Sequence, residues 1–262
     1  MPKKENSSAP YTLKEMMTIA AAREIRNGEI VFCGTGIAML AAMAAKHISA
    51  PESTIFFETG AIDAILEEVP LAVADSRVMF AAARNGGLAE AFATMQNPLT
   101  GRRVVGILGA AQIDPYGNLN STCLGDYRKP RTRFSGSGGA CDVASFVNRT
   151  IIFMQHEKRK FVEKLDYLTS PGWIDGPEGR SRLGLGGSGP AAVITDLGIM
   201  RFKPETKRMY LAAAYPGITP EMVQDKTGFT LEPEPSALFA PPTPTELSIL
   251  RERCDPQRLI LD

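Results

Sequence analysis

Glu58 is the residue best placed to do chemistry. It follows Thr54-Ile55-Phe56-Phe57, so its carboxylate leaves the end of a run with the β-branched and apolar character of a buried strand. Gly34-Thr35-Gly36 follows another such run, and a Gly-rich loop entering a helix offers backbone N–H groups to an anion. In an open α/β sheet, ligands bind beyond the carboxyl ends of the strands, where both features fall. The bland alternative for Glu58 is an exposed strand-end acid. Two further stretches are rich in glycine and small residues, 109–120 (GAAQIDPYGNLN) and 135–142 (SGSGGACD). Glycine is required where backbone takes positive φ or approaches a ligand closely, although ordinary turns also use it.

Other chemistries fit less well. Strand, GxG turn, helix and a later acid make the dinucleotide-binding pattern, but Met39 stands where its third glycine permits close helix–strand packing. No GxSxG elbow exists around Ser137 or Ser188. The two histidines, His47 and His156, read as a helix-end residue in a favourable dipole contact and a satisfied structural residue. With so few histidines and no paired cysteines, neither a metal site nor a catalytic triad is expected. Cys33 and Cys141, beside the glycine loops, read as buried and inert. Asp114-Pro115-Tyr116-Gly117-Asn118 is turn chemistry. Trp173, the only tryptophan, reads as a loop anchor.

The elements that must position these residues are legible in outline. Thr12 and Glu15 make a capping box, starting a helix that runs to Asn27-Gly28. Residues 29–32 read as a buried strand, 37–47 as a helix and 53–57 as a second strand, which makes a parallel βαβ unit. Strands are predicted at 104–108, 150–154 and 192–195, with a strand pair across 198–215. Thr219-Pro220 and Thr243-Pro244 each place a cap before a proline at the first helical position. The Pro-rich stretch 232–244 reads as an extended connection.

The whole chain has 262 residues and 44% hydrophobic content, enough for one sizeable core. Residues 1–10 read as disordered and 11–262 as a single domain. Lys+Arg and Asp+Glu balance at 29 each, which argues against a nucleic-acid or membrane-surface partner, and the basic run 158–160 reads as a solvated face. The N-terminus lacks a signal-peptide apolar region, and the longest apolar run, 37–45, is too short to span a bilayer. Cysteines at 33, 123, 141 and 254 form no CxxC pair, consistent with a reducing, cytoplasmic setting.

The runs Gly109-Ala-Ala-Gln-Ile-Asp-Pro-Tyr-Gly-Asn118, Gly136-Ser-Gly-Gly-Ala140, Met154-Gln-His-Glu-Lys158 and Thr169-Ser-Pro-Gly-Trp-Ile-Asp175 together resemble the β subunits of glutaconate-type family I CoA-transferases. The resemblance covers nearly the whole chain. It implies an α/β fold, an open mostly parallel sheet with helices on both faces, and an active site shared with an α subunit. It implies that Glu58 attacks the acyl-CoA and takes up CoA as a thioester. It matches Gly34, Thr35 and Gly36 to a loop lying against CoA, and Gly138 and Gly139 to oxyanion donors. Gly109, Ala110, Ala111 and Gln112 match a further active-site loop, with Ala110 where some relatives have glycine. Coenzyme A is then a substrate, and no bound cofactor is implied. Relatives without the glutamate act as ring-opening hydrolases or decarboxylases, an alternative that the presence of Glu58 disfavours.

Overall fold

The computed structural model describes residues 10–261, so the disorder expected of residues 1–10 lies outside the described residues except at Pro10. Thr12 begins the first helix as expected. Its N–H donates to the Glu15 carboxylate (2.7 Å), and the Glu15 N–H donates to its hydroxyl (3.2 Å). Helix α1 (Leu13–Glu24) stops before Asn27 because Ile25 is already extended, and Gly28 (φ +78°) turns the chain into β1 (Ile30–Phe32). Helix α2 (Ile37–Ile48) then carries it back to β2 (Thr54–Phe56), which pairs with β1 in parallel.

A stretch with no predicted elements follows: β3 (Ala61–Ile62), β4 (Arg84–Asn85) and α3 (Leu88–Gln96). Next comes β5 (Val104–Gly109), then two small hairpins, β6 (Gln112–Ile113) with β7 (Leu119–Asn120) and β8 (Cys123–Leu124) with β9 (Thr132–Arg133). Helix α4 (Ala140–Phe146) leads into β10 (Arg149–Phe153), and α5 (Gly179–Arg182) precedes β11 (Pro190–Ile194). The expected strand pair is β12 (Gly198–Phe202) and β13 (Met209–Ala214). Helix α6 (Pro220–Asp225) is capped by Thr219 with proline at its start. Strand β14 (Ala237–Leu238) lies within the Pro-rich connection, and α7 (Pro244–Ser248) is capped by Thr243.

Ten strands form one sheet, in the order β14-β13-β12-β11-β10-β5-β1-β2-β3-β4. The central strands β11, β10, β5, β1 and β2 run parallel; outside them the pairings are antiparallel except between β13 and the edge strand β14, which are parallel. A parallel sheet must be covered on both faces, and side chains alternate accordingly. Val31, Ile55, Val105 and Ile151 join the core under α1 and α2, whereas Phe32, Phe56, Val104 and Ile152 join the core containing Val143 of α4 and Val223 of α6. Beyond α7, a wide π-type turn (Ile249–Cys254) buries Leu250 and Cys254 against the first of these cores. Arg251 bonds Glu15 (2.6 Å), and Arg23 bonds Glu246 (2.6 Å), across 236 and 223 residues of sequence.

Candidate functional site

Because β5, β1 and β2 are adjacent and parallel, the loops after them share one edge of the sheet. Gly109–Gln112, Gly34–Gly36 and Glu58 all lie there, where an open α/β sheet binds ligands. Glu58 occupies the turn after β2, in which the Gly60 N–H donates to the Phe57 carbonyl (3.0 Å). Glycine is required at 60: its φ is +99°, and a β-carbon there would lie 2.3 Å from the Gly86 carbonyl oxygen. The Glu58 side chain is half-buried, and its carboxylate accepts no hydrogen bond and joins no ion pair among the described residues.

Gly139 immediately precedes α4 and lies against this carboxylate. A β-carbon at 139 would sit 3.2 Å from Glu58 Oε1 and 2.7 Å from Phe92 Cζ. The Ala140 and Cys141 N–H groups are occupied by Ser137 (2.9 and 3.1 Å), whereas those of Gly138 and Gly139 donate to nothing among the described residues. The sequence-predicted glycine pair thus has two N–H groups without an acceptor among the described residues, and Gly139 lies against Glu58. Gly34, Gly36 and Gly138 face open space on the side a β-carbon would fill. Helix α2 begins at Gly36 with no side-chain cap and no acid in its first turn, leaving its N–H groups for an anion.

The loop after β5 divides. Gly109 is exposed, and Ala110 and Ala111 are half-buried. The Gln112 side chain is buried and committed elsewhere: Oε1 accepts from Asn120 Nδ2 (2.7 Å) and the Asp166 N–H (3.2 Å), and Nε2 donates to Asp166 (3.2 Å). It braces the β6–β7 hairpin.

The remaining candidates are mostly structural. His156 is buried, bonds Thr227 (2.9 Å) and Thr195 (3.3 Å), and stacks on Phe161. Burial, with Lys226 nearby, pushes its ring down to about 4. Asp114 accepts from the Tyr116 and Asn118 N–H groups (2.9 and 3.0 Å) and from Asn118 Nδ2 (2.7 Å), yet burial still pushes its carboxyl up to about 6. Trp173 anchors its loop by donating to the Pro190 carbonyl (3.1 Å). Cys33 is buried, but Cys141 is exposed in the first turn of α4, contrary to expectation. The favourable dipole contact expected for His47 is not reflected in its titration, which burial and the cations Arg253 and Lys46 lower. Among the described residues no group of acids, histidines and cysteines is arranged to hold a metal, and no helix is long and apolar enough to cross a membrane.

A cavity of about 650 Å³ is lined by Met43, Lys46, His47, Ile65 and Arg253, among others. It lies at the far end of α2, roughly 16 Å along the helix from Gly36.

Phe92 is the residue that motif reading missed. Its signal was present: Leu88, Ala91, Phe92 and Met95 recur with helical spacing after Gly87, with Glu90 positioned to cap.

A profile of the coenzyme A transferase family matches residues 14–226. The β subunit of glutaconate CoA-transferase from Acidaminococcus fermentans is 47% identical over 94% of this chain and 93% of its own. The β subunit of 3-oxoadipate CoA-transferase from Pseudomonas knackmussii is 39% identical over 92% of each. The crystal structure of the A. fermentans glutaconate enzyme superposes with a TM-score of 0.92 at 44% identity, covering 97% of this chain and 98% of that one.

Proposed function

The chain belongs to the coenzyme A transferase family, and from that premise we propose that it moves CoA between an acyl-CoA and a free dicarboxylic acid of the glutaconate type, with Glu58 as nucleophile. The observation that carries this reading is the unpartnered Glu58 carboxylate against Gly139, in a glycine pair whose N–H groups have no acceptor among the described residues. A scaffold has no use for an acid so disposed.

Direct exchange is difficult because a carboxylate is both a poor nucleophile and a poor electrophile. A covalent carboxylate divides the reaction into easier steps. The Glu58 carboxylate attacks the thioester carbonyl, the C–S bond breaks, and a mixed anhydride and CoA thiolate result. The thiolate attacks the glutamyl carbonyl, releasing the first acid and leaving CoA on Glu58 as a thioester. The incoming acid reverses these steps. Each step passes through a tetrahedral oxyanion, for which a preorganised N–H donor is worth roughly 3–4 kcal/mol. We assign that role to Gly138 and Gly139, and contact with CoA to Gly34, Thr35, Gly36, Gly109, Ala110 and Ala111, with Gln112 holding its loop in place. Coenzyme A acts here as a substrate.

The partner in this reading is an α subunit, since the similar relatives are themselves β subunits of CoA-transferases. We further read residues 11–262 as one domain and its setting as the cytoplasm, in keeping with four free cysteines.

The test is trapping. The complex, incubated with acyl-CoA and no acceptor, should yield a hydroxamate with hydroxylamine, or an alcohol with borohydride, on the peptide containing Phe57-Glu58-Thr59. Glu58→Ala should lose both labelling and transfer. Labelling at another residue, or sequential kinetics with full activity in Glu58→Ala, would overturn the assignment.

A further inference from the structure

We propose that Phe92 keeps water off the Glu58 carboxylate and off the thioester formed there, and so sets the balance between transfer and hydrolysis; this rests on the reading of Glu58 as nucleophile. Phe92 Cζ and Glu58 Oε1 approach the same point, the site of a Gly139 β-carbon, at 2.7 and 3.2 Å, so they are separated by no more than about 6 Å. The ring is half-buried and rooted in the core: Phe92 lies 6.5 Å from Phe32, which meets Phe56 edge-on at 5.1 Å. An aromatic row thus runs from beneath β1 and β2 to the flank of the carboxylate.

The chemistry gives that position its meaning. The glutamyl thioester is an activated acyl group, and water attacking its carbonyl would form a C–O bond and break the C–S bond. Glu58 would return as a carboxylate, CoA would leave as thiol, and one proton would be released. The thioester's activation would be spent without CoA reaching an acceptor acid. A phenyl edge has neither donor nor acceptor to hold a water in line for attack, whereas a polar residue there would recruit one. The free N–H groups of the glycine pair stabilise an oxyanion whichever nucleophile attacks, so selectivity against water must come from the walls. Phe92 is a wall at hand, and glycine at 139 lets it come so near.

The experiment compares Phe92→Ala and Phe92→Leu with the unaltered chain, each assembled with the α subunit. Thioester hydrolysis is measured without acceptor, and transfer with saturating acceptor. Phe92→Ala should raise the ratio of hydrolysis to transfer about tenfold or more, and Phe92→Leu, which keeps apolar bulk, should restore most of the discrimination. If Phe92→Ala fails to assemble, Phe92→Gln decides, since it keeps bulk but can hold a water: a raised ratio supports the proposal and an unchanged one overturns it. Slower transfer at an unchanged ratio would mean that Phe92 is packing only. Hydrolysis that survives in Phe92→Ala combined with Glu58→Ala would also overturn it, because water would then not be attacking the glutamyl thioester. A Glu58 adduct in the unaltered chain, together with an unchanged ratio in the variants, would sink this inference and leave the nucleophile assignment standing. Active transfer without any adduct would remove both.

Discussion

At Gly139 the backbone is ordinary (φ −79°), so a side chain there meets no conformational barrier, only Phe92 and the Glu58 carboxylate. At Gly138 the balance is reversed, with φ +48° but open space around the missing β-carbon. The two alanine substitutions should therefore separate. Gly138→Ala should cost about 1 kcal/mol of stability through left-handed backbone. Gly139→Ala must push the Phe92 ring aside, at a cost of about 1 kcal/mol or more, and should lower turnover about 100-fold by crowding the Glu58 carboxylate. Denaturant midpoints and steady-state rates on the two proteins check the contrast. His156 and Asp114 make a second pair of opposites. The folded state holds His156 at about 4, below its ordinary 6.5, so its contribution is complete above pH 6.5 and is lost as pH falls toward 4. Asp114 is held at about 6, above its ordinary 3.8, so its contribution is complete below pH 3.8 and is lost as pH rises through 6. Each is worth roughly 3 kcal/mol across its window, with opposite sign. His156→Gln should accordingly lose less stability between pH 7 and 4.5 than the unaltered chain, and Asp114→Asn should lose more. Urea titrations at several pH values measure both slopes.

Helix α4 presents Gly139 to Glu58 and is held from behind by Arg180. This guanidinium is buried with no carboxylate partner among the described residues, and it donates instead to carbonyls. Two of these acceptors, Ala144 and Ser145, belong to the last turn of α4, at 3.0 and 3.3 Å, and another is Gly172 at 3.0 Å. A lysine cannot span them, so Arg180→Lys should cost about 3 kcal/mol of stability and lower turnover through tilting of α4. Unfolding curves and rates on one preparation would show both effects, and loss of neither would remove Arg180 from the support of the site. The elements explain how much was readable beforehand. Where a local signal set the structure, as in the capping box at Thr12 and the Thr-Pro starts of α6 and α7, the expected element formed. The same holds for the apolar runs of β1, β2 and β5. Between Glu58 and Val104, β3 and β4 are too short for a period to show, whereas α3 does carry helical spacing. Helix α4 was hidden because its start, Ser135 to Asp142, carries the glycines of a loop. The nearness of Glu58, Gly139 and Phe92 was not readable from spacing at all, since it arises when three separate elements meet above one sheet edge. The family resemblance had pointed to the first two and not the third.

Across the whole molecule, apolar exposure is uneven. Ile65, Leu71, Met79, Phe80, Leu88 and Leu99 are all exposed, within the segment that adds β3, β4 and α3 beside the Glu58 edge. Exposed apolar side chains concentrated in one segment suit a surface that a partner covers. If the proposed α subunit is the cover, this chain purified alone should show no transfer, and co-expression should restore it. Phe80→Asp with Leu88→Asp should abolish co-purification while circular dichroism stays unchanged. Full activity from the single chain would contradict this.

The pairing of the first helices with the segment beyond α7 has a consequence for biosynthesis. Leu250 and Cys254 complete the core that α1 and α2 begin, and Arg251 and Glu246 close it with ion pairs across 236 and 223 residues. At 5–20 residues per second, a ribosome needs roughly ten seconds or more to make the intervening chain. Throughout that interval the apolar face of the nascent α1–α2 pair lacks its cover and is open to holding chaperones. Shortening the chain before residue 244 would make that transient exposure permanent.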